Sequence, residues 1–133
     1  MRLLLDTHIV LWAAGVPHRR SSLVRDLIDN PANQPYFSSA SIWEIAIKNP
    51  RGRGGTVPDP HALLRGLTNH DYTELPVTSA HAAAVANLPP IHRDPFDRIL
   101  VAQAQVEGIT LLTADATVAR YPGPIRLLGS PGG

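Results

Sequence analysis

Arg2-Leu3-Leu4-Leu5-Asp6-Thr7-His8 places a short apolar run, an acid and a helix start in immediate succession. Consecutive leucines without polar alternation mark a strand buried on both faces, as in a parallel sheet covered by helices. A helix over residues 7–14 follows the acid. Outward from this unit the alternation continues. Residues 22–30 read as a helix with Leu23, Leu27 and Ile28 on one face, and residues 35–38 as a strand. Residues 41–49 read as a helix with Ile42, Ile45 and Ala46 inward. The Gly-, Pro- and Arg-rich stretch 50–60 is a loop, with Pro50 set to interrupt the preceding helix. A helix at 61–69, a short strand at 73–75 and an Ala-rich helix at 79–87 capped by Ser79 come next. After a loop at 89–94, a strong helix spans 95–107 and stops at Gly108. A strand at 109–112, a short helix at 114–121 and a last strand at 125–128 complete the pattern. Strands alternating with helices predict an α/β fold with a parallel sheet covered on both faces.

With 133 residues and neither repeat nor linker, one domain over 1–128 with a flexible tail at 129–133 is expected. A 44% hydrophobic and 17% charged composition argues against disorder. The absence of cysteine excludes disulfides and thiolate metal sites and suits a reducing compartment. Because Asp6 breaks the first apolar run at once, neither a signal peptide nor a membrane span is expected there. The expectation is a cytoplasmic protein with no membrane partner. A net charge of only +1 gives little footprint for a nucleic-acid binder, so any such contact must come from local clusters.

Four acids stand out. Asp6 follows the first strand, Glu44 is expected in the first turn after the second, Asp97 in the first turn of the long helix, and Asp115 after the strand at 109–112. In a parallel sheet all four point toward the carboxyl ends of the strands, where sites gather. At about 5 Å and an effective dielectric near 20, each carboxylate pair repels by roughly 3 kcal/mol. Such a group requires a cation to stay ionised, and all-oxygen donors suit Mg²⁺ or Mn²⁺. Plainer alternatives stand beside this. Ser41 with Glu44, and Asp94 with Asp97 around Pro95, have the form of capping boxes. Asp6 and Asp115 would equally serve as a cap and a turn residue.

Leu3-Leu4-Leu5-Asp6-Thr7-His8, Ser38-Ser39-Ala40-Ser41-Ile42-Trp43-Glu44-Ile45-Ala46-Ile47-Lys48, Leu88-Pro89-Pro90-Ile91-His92-Arg93-Asp94-Pro95-Phe96-Asp97-Arg98 and Thr110-Leu111-Leu112-Thr113-Ala114-Asp115 together resemble the PIN-domain family, in its VapC-type toxin branch. The resemblance implies a three-layer α/β/α sandwich around a mostly parallel sheet of about five strands. It implies a Mg²⁺- or Mn²⁺-dependent endoribonuclease, the toxin of a toxin–antitoxin pair. The metal-binding and catalytic acids then fall on Asp6, Glu44 and Asp97, with Asp115 a more variable fourth. Structured RNA such as tRNA or rRNA, a small cognate antitoxin and a homodimer are the implied partners. The segment Asn49-Pro50-Arg51-Gly52-Arg53-Gly54-Gly55 departs from the branch, which continues its helix there.

Around the acids, Thr7 and Thr113 are caps or holders of water, and Ser38 ends its strand where it could face the pocket. Asp94 is a candidate supporting residue. Lys48 stands four residues after Glu44, placed for an ion pair or a phosphate contact. Arg51, Arg53, Arg93 and Arg98 are candidate RNA contacts. His92 reads as a loop hydrogen-bond partner before a general base. Trp12 and Trp43 read as core or interface anchors, since 5% aromatic residues provide no stacking ladder. Two rivals remain: a phosphatase, disfavoured because His8 stands where an Asp-x-Asp pattern needs its second acid, and a non-catalytic module whose acids are only caps.

Overall fold

The computed structural model describes residues 1–14, 21–49 and 59–128. The expected RNA contacts at Arg51 and Arg53, the helix break at Pro50 and the tail at 129–133 lie outside the described residues. The chain runs β1 (Arg2–Leu5), α1 (Thr7–Ala13), α2 (Ser21–Asp29), β2 (Gln34–Ser38), α3 (Ser39–Lys48), α4 (Pro60–Asn69), β3 (Thr73–Leu75), α5 (Ser79–Ala84), α6 (Pro95–Glu107), β4 (Thr110–Thr113) and β5 (Ile125–Leu127). Short 3₁₀ turns at Val85–Asn87 and Val118–Arg120 follow α5 and β4.

All five strands are parallel, in the order β3-β2-β1-β4-β5. Successive side chains of a strand point to opposite faces. Leu3 and Leu5 therefore join one core with Ile9, Val24, Phe37, Ile45 and Leu63, while Leu4 joins the other with Leu100, Val101 and Leu111. Helices α1 to α4 cover the first face and α6 the second, which gives the expected three layers. From β1 the sheet grows one way through β2 and β3 and the other way through β4 and β5, so the order reverses beside β1. Open α/β sheets form their crevice at that reversal. Leu5 pairs with both Phe37 and Leu112, so Asp6, Ser38 and Thr113 occupy the next level row.

Several local expectations change. Helix α3 starts at Ser39, capped by the Ser38 hydroxyl, which accepts from Ala40 N–H at 3.0 Å. Ser41 is thus not the cap, and Glu44 lies in the second turn. Ser38 ends the strand already extended (φ −84°, ψ 142°), the backbone a cap requires. Thr78, not Ser79, caps α5, in a box completed by the His81 ring. Only Val118–Arg120 forms a helical turn in the stretch expected to be helical from 114 to 121. The Asp115 carboxylate accepts from Thr117 N–H at 2.8 Å, a local bond that competes with helix hydrogen bonding. Helix α6 follows expectation: Asp94 caps it through Phe96 N–H, Pro95 opens it, and Gly108 closes it at φ +64°.

Candidate active site

Asp6 leaves the central strand and does two things at once. Its Oδ1 caps α1 by accepting from Ile9 N–H at 3.0 Å, and its Oδ2 accepts from the Thr113 hydroxyl at 2.5 Å. The side chain is buried, and burial pushes its carboxyl above the ordinary range; the bonds from Thr113 and Ile9 pull the other way. The plain reading of Asp6 as a helix cap is correct for one oxygen and leaves the other to the site.

Thr7 is the next residue on α1. Its hydroxyl lies 2.7 Å from Glu44 Oε1 and 3.0 Å from Ser41 Oγ. A hydroxyl has one proton to donate, and a carboxylate is the stronger acceptor. Thr7 thus donates to Glu44 and is free to accept from Ser41. Glu44 Oε2 meets Lys48 Nζ at 2.6 Å, the i,i+4 ion pair the spacing suggested. That bond raises the Lys48 pKa above its usual value. Lys48 remains mostly exposed, 5.9 Å from the centre of the Phe96 ring.

Asp97 occupies the first turn of α6 and makes no capping box with Asp94. Its pKa is raised to about 6, first by burial and then by the negative charge of Asp94, with Asp6 and Glu44 adding to it and His92 opposing. Asp6, Glu44, Asp94 and Asp97 thus share one electrostatic neighbourhood. Asp115 N–H is bound by the Thr113 hydroxyl at 3.0 Å, which ties Asp115 to the same threonine that holds Asp6. His92 Nε2 lies 3.3 Å from Asp97 Oδ2 and 3.6 Å from Asp115 Oδ2. Donor atoms from these three residues all fall within 4.8 Å of one another.

A cleft of about 430 Å³ opens beside the acids, with Thr7, His8, Glu44, Lys48, Asp94 and Asp97 on its wall. Ser38 does not face it, since its hydroxyl is fully buried as a cap. Arg93 is exposed. Arg98, expected at RNA, instead turns inward: its guanidinium donates to the carbonyls of Pro89, His92 and Val85 and to the Tyr121 hydroxyl. Trp12 is core, whereas Trp43 is 62% exposed. His8 received no role from the sequence, although it directly follows Asp6-Thr7 and therefore had to emerge on the same turn.

These features define a class: a three-layer α/β/α domain with carboxylates gathered at the carboxyl ends of its central parallel strands. The PIN domain family profile matches residues 3–124, and the chain belongs to that family. Ribonuclease VapC22 of Mycobacterium tuberculosis is 29% identical over 124 residues, covering 92% of this chain and 95% of the relative. The crystal structure of VapBC2 from Rickettsia felis bound to a promoter DNA fragment superposes with a TM-score of 0.71 at 15% identity, covering 96% of this chain and 98% of that one. VapC20 of M. tuberculosis, a toxin that cleaves the sarcin–ricin loop, matches at a TM-score of 0.66 and 13% identity, covering 90% and 96%.

Proposed function

We propose that this protein is a metal-dependent endoribonuclease that hydrolyses RNA phosphodiester bonds as the toxin of a toxin–antitoxin pair. The observation that carries this reading is the convergence of Asp6, Glu44, Asp94 and Asp97 in one neighbourhood beyond the carboxyl ends of the central strands, where the other three add to the negative charge at Asp97. Such a centre is short of positive charge, and its donors are hard oxygens that suit Mg²⁺ or Mn²⁺. Asp6, Glu44 and Asp97 would hold the ion, with Asp115 as a fourth acid. A divalent ion there supplies activation of water and neutralisation of charge at the phosphate.

The chain's own groups orient the rest. Thr113 fixes Asp6 and Asp115, Thr7 fixes Glu44, and Asp94 adds negative potential from the helix cap. Lys48, on the cleft wall, and Arg93, exposed next to Asp94 in the chain, suit phosphate oxygens; Arg98 serves the loop instead. A relative that cleaves the sarcin–ricin loop supports structured RNA of the rRNA or tRNA class as substrate. Neighbours solved as VapBC complexes support a small antitoxin partner. The exposed apolar side chains of Trp43, Ile47 and Val77 support a homodimer. No helix among the described residues is long and apolar enough to cross a membrane.

Purified protein is expected to cut structured RNA with Mg²⁺ or Mn²⁺, to stop in EDTA and to recover when the ion is restored. Glu44→Gln keeps the acceptor for Thr7 and removes the charge, so cleavage should fall by about 100-fold or more while the fold persists. Wild-type cleavage in EDTA, or an unimpaired Glu44→Gln enzyme, overturns the proposal.

A further inference from the structure

His92 is held more tightly than a loop histidine requires. Its N–H donates to the Tyr121 hydroxyl at 2.8 Å, and its carbonyl accepts from Arg98 Nη1 at 3.4 Å. Tyr121 is buried and itself accepts from Arg98 at 3.1 Å, so the anchor belongs to the core. The ring is fixed as well. Nδ1 accepts from Asp94 N–H at 3.0 Å, which uses the lone pair on that nitrogen. A neutral imidazole then carries its proton on Nε2. Nε2 lies 3.3 Å from Asp97 Oδ2 and, beyond hydrogen-bond length, 3.6 Å from Asp115 Oδ2, so one donor sits between two carboxylates. Asp115 is held on its other oxygen by Thr117 N–H.

We propose that His92 is a positioning residue for the acid cluster: its Nε2–H, locked in one tautomer by the loop, sits between Asp97 and Asp115 and steers how these two carboxylates present themselves to a divalent cation. His92 is not a ligand, because the nitrogen facing the cluster has no free lone pair. It is not the base, because its other nitrogen is occupied by the backbone. Hydrogen bonds that orient ligating groups typically govern metal affinity by 10–100-fold. The inference rests on the metal reading above and refines it.

The test uses Mn²⁺ alone, followed by titration calorimetry and by electron paramagnetic resonance. His92→Asn keeps an acceptor for Asp94 N–H and loses the distal donor. His92→Gln extends an amide donor to about the position of Nε2. Mn²⁺ binding should weaken by about 10–100-fold in His92→Asn, with an unchanged melting temperature, and return close to wild type in His92→Gln. Wild-type Mn²⁺ spectra should lack coupling to an imidazole nitrogen. Should His92→Asn not fold, Tyr121→Phe removes the backbone anchor from a distance and should weaken Mn²⁺ binding in the same direction. Wild-type affinity in the folded Asn variant, or nitrogen coupling in the wild-type spectrum, overturns the positioning role. Wild-type protein that binds no Mn²⁺ overturns the metal reading itself, and this inference with it.

Discussion

Asp97→Asn should make the metal-free protein more stable while removing its response to metal. The wild-type carboxyl rises from 3.8 to about 6 on folding. At about 1.4 kcal/mol per tenfold change in proton affinity, that difference penalises the charged form by about 3 kcal/mol. The side chain retains 21% exposure, and water screens part of the effect, so about 1–2 kcal/mol is the working figure. Asparagine has nearly the same shape, keeps an oxygen for His92 Nε2–H and carries no charge. In a chain of 133 residues the gain corresponds to about 4–7 °C in Tm. Thermal and urea unfolding in EDTA at pH 7.5 measures it. The pH dependence has a definite sign. Because folding raises the pKa, the wild type has its full relative stability below pH 3.8 and loses it as pH rises through about 6. The advantage of the Asn variant should therefore grow between those values and then level off. Addition of Mg²⁺ should reverse the order, since only the wild type gains from the ion. An Asn variant less stable than wild type in EDTA at pH 7.5 would refute the account of Asp97 as an under-compensated carboxylate.

Mn²⁺ affinity in the wild type should fall as pH drops through about 6, because the proton on Asp97 competes with the ion; calorimetry at pH 5 and 7.5 compares the two. Gly108→Ala should cost about 1 kcal/mol in urea unfolding and leave RNA cleavage unchanged, since nothing lies within 4 Å of a Cβ there and only the +64° φ resists a side chain. Arg98→Ala should cost about 2–4 kcal/mol by the same measurement, because it strips donors from loop carbonyls at Val85, Pro89 and His92.

Sequence patterns revealed those features that depend on neighbouring residues. The unbroken leucines of β1 and the Asp94-Pro95 start and Gly108 stop of α6 each carry their own signal. The phase of α3 did not, because Ser38, Ser39 and Ser41 all offer a capping hydroxyl; the strand's extended backbone at Ser38 decides among them. Asp6 was legible as an acid ending an apolar strand and Asp97 as an acid in the first turn of the long helix. Their convergence was expected of a parallel sheet; the tie from Thr113 to Asp6 was not, since it arises only when strand order sets β4 beside β1. The same long-range closure brings Asp115 to His92, whose tautomer is fixed locally by Asp94 N–H. Arg98 looked like a surface cation because sequence cannot say that a tight proline-rich turn leaves its carbonyls facing inward.

Strand β1 is laddered on both edges and covered on both faces, so its amides should be among the slowest in the protein to exchange with solvent. Asp6 hangs from that strand and cannot shift without dismantling the centre of the sheet. Glu44 and Asp97 are mounted on separate helices, α3 and α6. The arrangement resembles a vice with one fixed jaw: were a divalent ion held there as proposed, a change in its radius would be taken up at α3 and α6 before the strand.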